Sequence, residues 1–490
     1  MIDRRFATPR LALAVLAAAL ASPGAAASPA RTQSRAIDVR TAADLARAVA
    51  AAEPGDVITL APGTYDLPPK LAVTRTGAPD RPITVRTAQL GDARLRFTST
   101  GGAYVEGFHV MAADWRFENL DIEGVCPNDD LCEHAFHIVG DAERTVVEGC
   151  RLHGFNAMIK GNGAPDGGDV WHWADDVVIR GNEFFSPAGR RTSNPVTPID
   201  VVGGRRWRVV GNFIHDHFKE GGDGISYAAF LKGNGRDGVF ERNLVVCELL
   251  HKGGTRLGLS FGGGGSGPDR ICEDGTCSPE HQGGVMRNNV IVHCPADVGI
   301  DLNEAKTTRI EHNTLYDTAG IDVRFAASDA DITGNLVQGR VRERDGGKAR
   351  VQSTLQLTAA DFRAWFRDPD QRDFALLDGS ALVDHALPLP GLVEDWCGGP
   401  RDDRPDIGAF EYAAGRTCDT TGRPPMGGPA PQPTATTAPP SSMPPTATRP
   451  PTPDAPSTTP TSRAAATSRP TVGVPTAARI ALPWAANGAR

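Results

Sequence analysis

Seven times along the chain the same short phrase returns: an apolar run, a glycine or polar residue, then asparagine. It reads RFENLDI at Asn119, VVIRGNEF at Asn182, RVVGNFI at Asn212, VFERNLV at Asn243, VMRNNVI at Asn289, RIEHNTL at Asn313 and DITGNLV at Asn335. An eighth copy, VVEGCRL, carries Cys150 in the asparagine's place. Successive copies lie 22 to 32 residues apart, with one interval of 46. A period in that range marks a solenoid, whose repeats bury a core only by stacking on their neighbours. Asparagine suits the corner because it tolerates left-handed backbone angles and can bond locally. The expectation is an all-β solenoid with a ladder of turn asparagines bonded rung to rung.

Each phrase is preceded by a second strand. These read AFHIVG (135–140), AMIKGNG (157–163), PIDVVGG (198–204), AFLKGNG (229–235), GLSFGG (258–263), GIDLNEA (299–305) and GIDVRFA (320–326). Alternation along a strand sends Phe136, Ile138, Ile199, Val201, Leu231, Leu259, Ile300 and Ile321 inward. It stacks His137, Met158, Asp200, Phe230, Ser260, Asp301 and Asp322 in one outward column. A neighbouring column holds Lys160, Lys232, Asn303 and Arg324. Two insertions follow this strand, one with Trp171 and Trp173, the other (263–284) with Cys272 and Cys277. Insertions in a solenoid cluster on one face and wall its binding surface. A floor of Asp200, Lys232, Asp301 and Arg324 with His137, Lys160 and a tryptophan lip suits an anionic polysaccharide. Rings offer flat apolar faces to sugars, and cations pair with uronate carboxylates.

The opening DVRTAADLARAVAAAEPGDVITLAPGTYD, followed by the turn asparagines, resembles the right-handed parallel β-helix proteins of the pectate lyase superfamily, closest to the chondroitinase B and alginate lyase branch. DRPDIGAFEY (403–412) is similar to the closing segment of exported β-helix proteins. The resemblance implies a single-stranded right-handed parallel β-helix over 36–340, with its end and cap over 341–420. It also implies β-elimination on a uronate polymer, which needs a base for the C5 proton, a cation or metal for the carboxylate and an acid for the leaving oxygen. Lys232 of FLKGNG and Arg256 of TRLGLSFGG match the family's catalytic lysine and arginine. ISYAAF puts Ile225 and Tyr227 where the family has two calcium-binding glutamates. Asp301 and Asp322, one rung apart, need compensation by Arg324 or by a calcium ion shared with Asn303.

Composition and the chain ends bound the setting. Arg4, Arg5 and Arg10 precede an apolar run and Ala25–Ala27, the pattern of a signal peptide over 1–27. Residues 421–478 are mostly Pro, Thr, Ser and Ala, a stiff linker, and 479–490 form a short tail. The expected chain is a secreted or cell-surface monomer without a transmembrane segment. A formal net charge of -8 gives no footprint for nucleic acid. Nine cysteines in an exported chain favour disulfides: Cys126–Cys132, Cys247–Cys294, Cys272–Cys277 and Cys397–Cys418, with Cys150 left as a buried thiol. His215 and His217 read as a surface pair. Lys232 and Arg256 have the plainer alternative of being solvated charges. The favoured function is a polysaccharide lyase, and the alternative is a non-catalytic sugar-binding solenoid on a Pro/Thr stalk. A polygalacturonase-type hydrolase fits less well, because Asp200, Asp301 and Asp322 are spread over too many rungs.

Overall fold

The computed structural model describes residues 34–421 apart from 264, 378–380 and 413–418. The signal-peptide, linker and tail assignments therefore lie largely outside the described residues. Three long sheets of 12, 11 and ten strands wrap one core, and their strands pair in parallel throughout. Each coil gives one strand to each sheet in turn. One coil runs Phe136–Val139, Val146–Glu148 and Arg151–His153 before the next begins at Ile159. This is a parallel β-helix. The apolar residues of the alternating strands, from Val39 to Val337, line its interior.

The entry is closed by a helix, Ala42–Ala50, whose Thr41 side chain accepts from the Asp44 amide and whose Leu45 and Val49 are buried. The coil continues past 340 through strands Arg340–Arg344, Lys348–Gln352 and Leu355–Leu357. Residues beyond these fold back over the outer face of the 11-stranded sheet. There Phe362, Phe366, Phe374 and Trp396 bury Phe213, Leu244, Val292 and Tyr316 in a second core.

The ladder stands at the corner between the 12- and 11-stranded sheets. Asn182, Asn212, Asn243, Asn289, Asn313 and Asn335 are fully buried, and each side-chain oxygen accepts from the main chain of the residue one rung earlier. Two corrections to the expectation follow. The left-handed residue is the one before each ladder asparagine: Gly181 at φ 62°, Gly211 at 63°, Arg242 at 56°, Asn288 at 52°, His312 at 51° and Gly334 at 70°. Asn119, at φ 57°, sits in that preceding slot and is outside the ladder, where Leu120 gives its amide to Cys150 Sγ. Cys150 is a buried thiol at the ladder's start, as expected.

Three expected disulfides are present, Cys126–Cys132, Cys247–Cys294 and Cys272–Cys277. The inter-rung pair spans a Cα–Cα distance of 5.0 Å, within the spacing of adjacent rungs. The fourth involves Cys418, outside the described residues. Among the described residues no helix is long and apolar enough to cross a membrane.

Candidate functional site

The second strands form the ten-stranded sheet, and its register fixes which side chains meet. One outward column runs His109, His137, Lys160, Asp200, Phe230, Ser260, Asp301, Asp322, Arg342. Beside it Asn303, Arg324 and Arg344 stack on consecutive rungs. The expected columns are therefore right from Asp200 onward. The rung of Lys160 is corrected by two residues: Lys160, and not Met158, faces His137 and Asp200.

The face is covered far more than expected. Lys160, Asp200, Asp301, Asn303 and Asp322 are all buried. The 263–284 insertion lies across the column: Lys232 donates from Nζ to the carbonyls of Gly263 (3.1 Å) and Gly265 (3.2 Å) and lies 4.6 Å from the Phe230 ring centroid. Glu280 in the same insertion accepts from the Gly233 amide and the Ser266 hydroxyl. The tryptophan lip is partly structural. Trp173 donates to the Ile271 carbonyl, tying the two insertions together, and its ring lies over Gly203, where a Cβ would come within 2.2 Å of Cδ1. Trp171 lies 6.2 Å from it, half-buried.

Three charge centres lie along the column. In the first, Lys160 and Asp200 form a buried ion pair of 2.8 Å. Nearby Glu133 accepts from Asn156 and Asn194, and burial pushes its carboxyl up to about 6. In the second, desolvation holds Lys232 below the ordinary lysine range, with Asp200 and Glu280 opposing the shift. In the third, Asp322 is bound by Arg342 (2.5 Å) and Arg344 (2.6 Å), while among the described residues Asp301 has only Arg324, at 3.7 Å. Both Asp301 oxygens are buried without a hydrogen-bond partner, and burial pushes the group up to about 7. A carboxyl poised there is suited to acid–base work.

The donor set does not fit the calcium expected at Asp301, Asn303 and Asp322. Calcium takes six to eight oxygens, but two guanidiniums occupy Asp322 and a third stands beside Asp301. Asp322 is compensated by two arginines from the next rung, while Arg324 stands beside Asp301 without a hydrogen bond to it.

Arg256 is also displaced from its expected place. It faces Ser226 in register, six residues from the position opposite Lys232, or about 20 Å along the strand. There it is buried, donating to the Gly253 and Cys247 carbonyls with Phe218 against its guanidinium. The structure does not bring Lys232 and Arg256 together. His215 and His217, read as surface, are buried as well. His215 bonds Asp216 at 2.7 Å and His217 bonds the Leu257 carbonyl.

The sequence reading missed Glu106, His109, Glu133, Arg342 and Arg344. Aligning GFHV (107–110) under AFHIVG would have placed His109 beneath His137.

No known family profile matches this chain, and no curated protein matches it. Solved structures similar to it include the pectate lyase Pel9A, at 14% identity and a TM-score of 0.44, covering 78% of this chain and 97% of that one. An alginate lyase from Paenibacillus sp. str. FPU-7 has 16% identity and a TM-score of 0.37, covering 66% and 96%. A GH136 lacto-N-biosidase from Eubacterium ramulus has 10% identity and a TM-score of 0.45, covering 66% and 68%. At these identities the likeness concerns the fold.

Proposed function

We propose that this β-helix is a lyase that cleaves uronate-containing polysaccharide by β-elimination on the outward face of the ten-stranded sheet. The observation that supports it most is Lys232. It stands on that face under a disulfide-closed insertion, with its pKa lowered by desolvation toward the range in which an amine accepts a proton. Arg324, Arg342 and Arg344 line the same face some rungs along and suit the carboxylates of a bound polymer. In this reading Lys232 takes the C5 proton. Glu133 and Asp301, the raised carboxyls, are candidates for returning a proton to the leaving oxygen.

The second reading is a non-catalytic carbohydrate-binding solenoid at the cell surface. What favours it is the absence of Arg256 from the vicinity of Lys232, since Arg256 is spent on backbone carbonyls.

The test is incubation of the purified protein with alginate, pectate, chondroitin and heparin, read as absorbance of unsaturated uronate. Activity should rise with pH to a midpoint below the ordinary lysine value of about 10.4. Lys232→Arg keeps the cation but cannot be deprotonated, so it should lose turnover while retaining polymer binding. Full activity in Lys232→Arg removes Lys232 as the base. Binding without any product on every polymer selects the second reading.

A further inference from the structure

We propose that Glu106, His109 and His137 bind a divalent transition-metal ion of the zinc class. The three residues come from two adjacent rungs of the ten-stranded sheet. Glu106 immediately precedes strand Gly107–Val110, which carries His109, and His137 faces His109 from strand Phe136–Val139.

Their ligand atoms converge. Glu106 Oε2 lies 3.1 Å from His109 Nδ1 and 3.6 Å from His137 Nδ1, and all three atoms lie within 4.8 Å of one another. Zinc bonds to nitrogen and carboxylate oxygen run about 2.0–2.2 Å, so two ligands on a tetrahedral ion sit roughly 3.4 Å apart. The observed separations bracket that value. Two imidazoles and one carboxylate are donors this class of ion prefers over calcium or magnesium, and three protein ligands leave a fourth position open.

A second observation concerns the far side of His137. Its Nε2 lies 2.8 Å from Asn162 Oδ1, and Asn162 Nδ2 donates to the Gly163 carbonyl. That donation fixes the amide with its oxygen toward His137, so Nε2 carries the hydrogen. In the neutral ring Nδ1 is then a bare lone pair pointed at a carboxylate oxygen. His109 Nδ1 and His137 Nδ1 are buried and both face Glu106 Oε2, with no other hydrogen-bond partner among the described residues. A divalent cation between these atoms, in place of the Lys70 ammonium, makes three bonds at once, and Asn162 supplies the outer hydrogen bond that metal-bound histidines usually make.

Lys70 Nζ lies 2.5 Å from Glu106 Oε2, on a half-exposed side chain that can swing into solvent. It is the competitor for the carboxylate when no metal is bound. Chemically the site is independent of Lys232 and stands one rung from the Lys160–Asp200 pair.

The experiment strips the purified chain with chelator, restores zinc or cobalt(II), dialyses, and measures metal content, melting temperature and the cobalt absorption spectrum. One equivalent retained, with a raised melting temperature, is expected. His137→Ala and Glu106→Gln should each abolish it, Asn162→Ala should weaken it about tenfold or more, and Lys70→Ala should tighten it. The control His172→Ala alters a half-exposed histidine beside Asp141 and Asp166 and should change nothing. Should His137→Ala fail to fold, the near-isosteric Glu106→Gln carries the test through the cobalt spectrum. No stoichiometric metal in the wild type overturns the proposal. So does retention unchanged in Glu106→Gln, or retention lost in His172→Ala. A cluster that is only an ion-pair network gives no metal and a Lys70→Ala variant that is merely less stable.

Discussion

Asn243 and Asn119 occupy the same phrase in the sequence and different places in the fold, and substituting each separates the two. Asn243 Nδ2 donates to the Val209 carbonyl and to Asn289 Oδ1, while its Oδ1 accepts from the amide and Nδ2 of Asn212. Asn243→Ala deletes all four bonds at a fully buried corner. At roughly 1 kcal/mol net per bond the loss is ~4 kcal/mol, and the Asn212 amide is left unsatisfied in the interior. That is a large share of the ~5–15 kcal/mol that typically holds a domain together. Asn119 has a left-handed φ of 57° and no role in the ladder. Asn119→Gly suits that conformation and should stay within ~1 kcal/mol of the wild type. Urea titration followed by far-ultraviolet circular dichroism and by tryptophan fluorescence reads both variants. Stacked repeats couple chiefly to their neighbours, so a free energy is taken only where the two probes trace coincident transitions. Equal losses in the two variants, or less than ~1 kcal/mol for Asn243→Ala, would refute the assignment of the ladder.

Loop size ranks the disulfides. Replacing Cys247 and Cys294 together by alanine opens a 47-residue loop and should cost up to ~4 kcal/mol. Replacing Cys126 and Cys132 opens one of six residues and should cost ~2 kcal/mol, and thermal melts of the two double variants would show the order. Asp301 makes stability depend on pH. Its folded pKa of about 7 lies above the unfolded value, so the contribution is full below about pH 4 and disappears as pH rises through 7. Asp301→Asn should flatten that fall, by up to ~4 kcal/mol between pH 4 and 7, and denaturant midpoints across that range would measure it.

The fold was legible because one residue per coil is held by the same bonds in every coil. A buried asparagine that satisfies the rung before it recurs at the coil period whatever the insertions do. Which residue of the phrase turns the chain was not legible, since Gly, Arg, Asn and His all take the left-handed slot. The register of Lys160 was lost for a related reason. KGNG occurs at both Lys160 and Lys232, yet Lys160 pairs with Asp200 and Lys232 with Val202. A one-residue slip would have turned apolar side chains outward and exposed itself, whereas a slip of two leaves every side chain on its own face. Hydrophobic alternation is blind to that error, and only the lengths of the intervening loops decide it.

The same blindness explains why the site was seen in fragments. Its charges are balanced between rungs: Asp200 by Lys160, Asp322 by Arg342 and Arg344, Glu106 by Lys70. Each partner lies a coil away in sequence, so no local motif joins them. Arg256 shows the converse. Its strand runs seven residues, Thr255–Phe261, longer than the other strands of this sheet save the Ile225–Lys232 strand it pairs with. The extra length carries Arg256 away from the outward column into a buried bend, where backbone carbonyls bond it and Asp216 lies 3.9 Å away. A motif match that counts residues to the next strand cannot register that displacement. On this face, therefore, chemistry is decided by which groups remain uncompensated after the rungs stack, and among the described residues of the outward column that singles out Asp301.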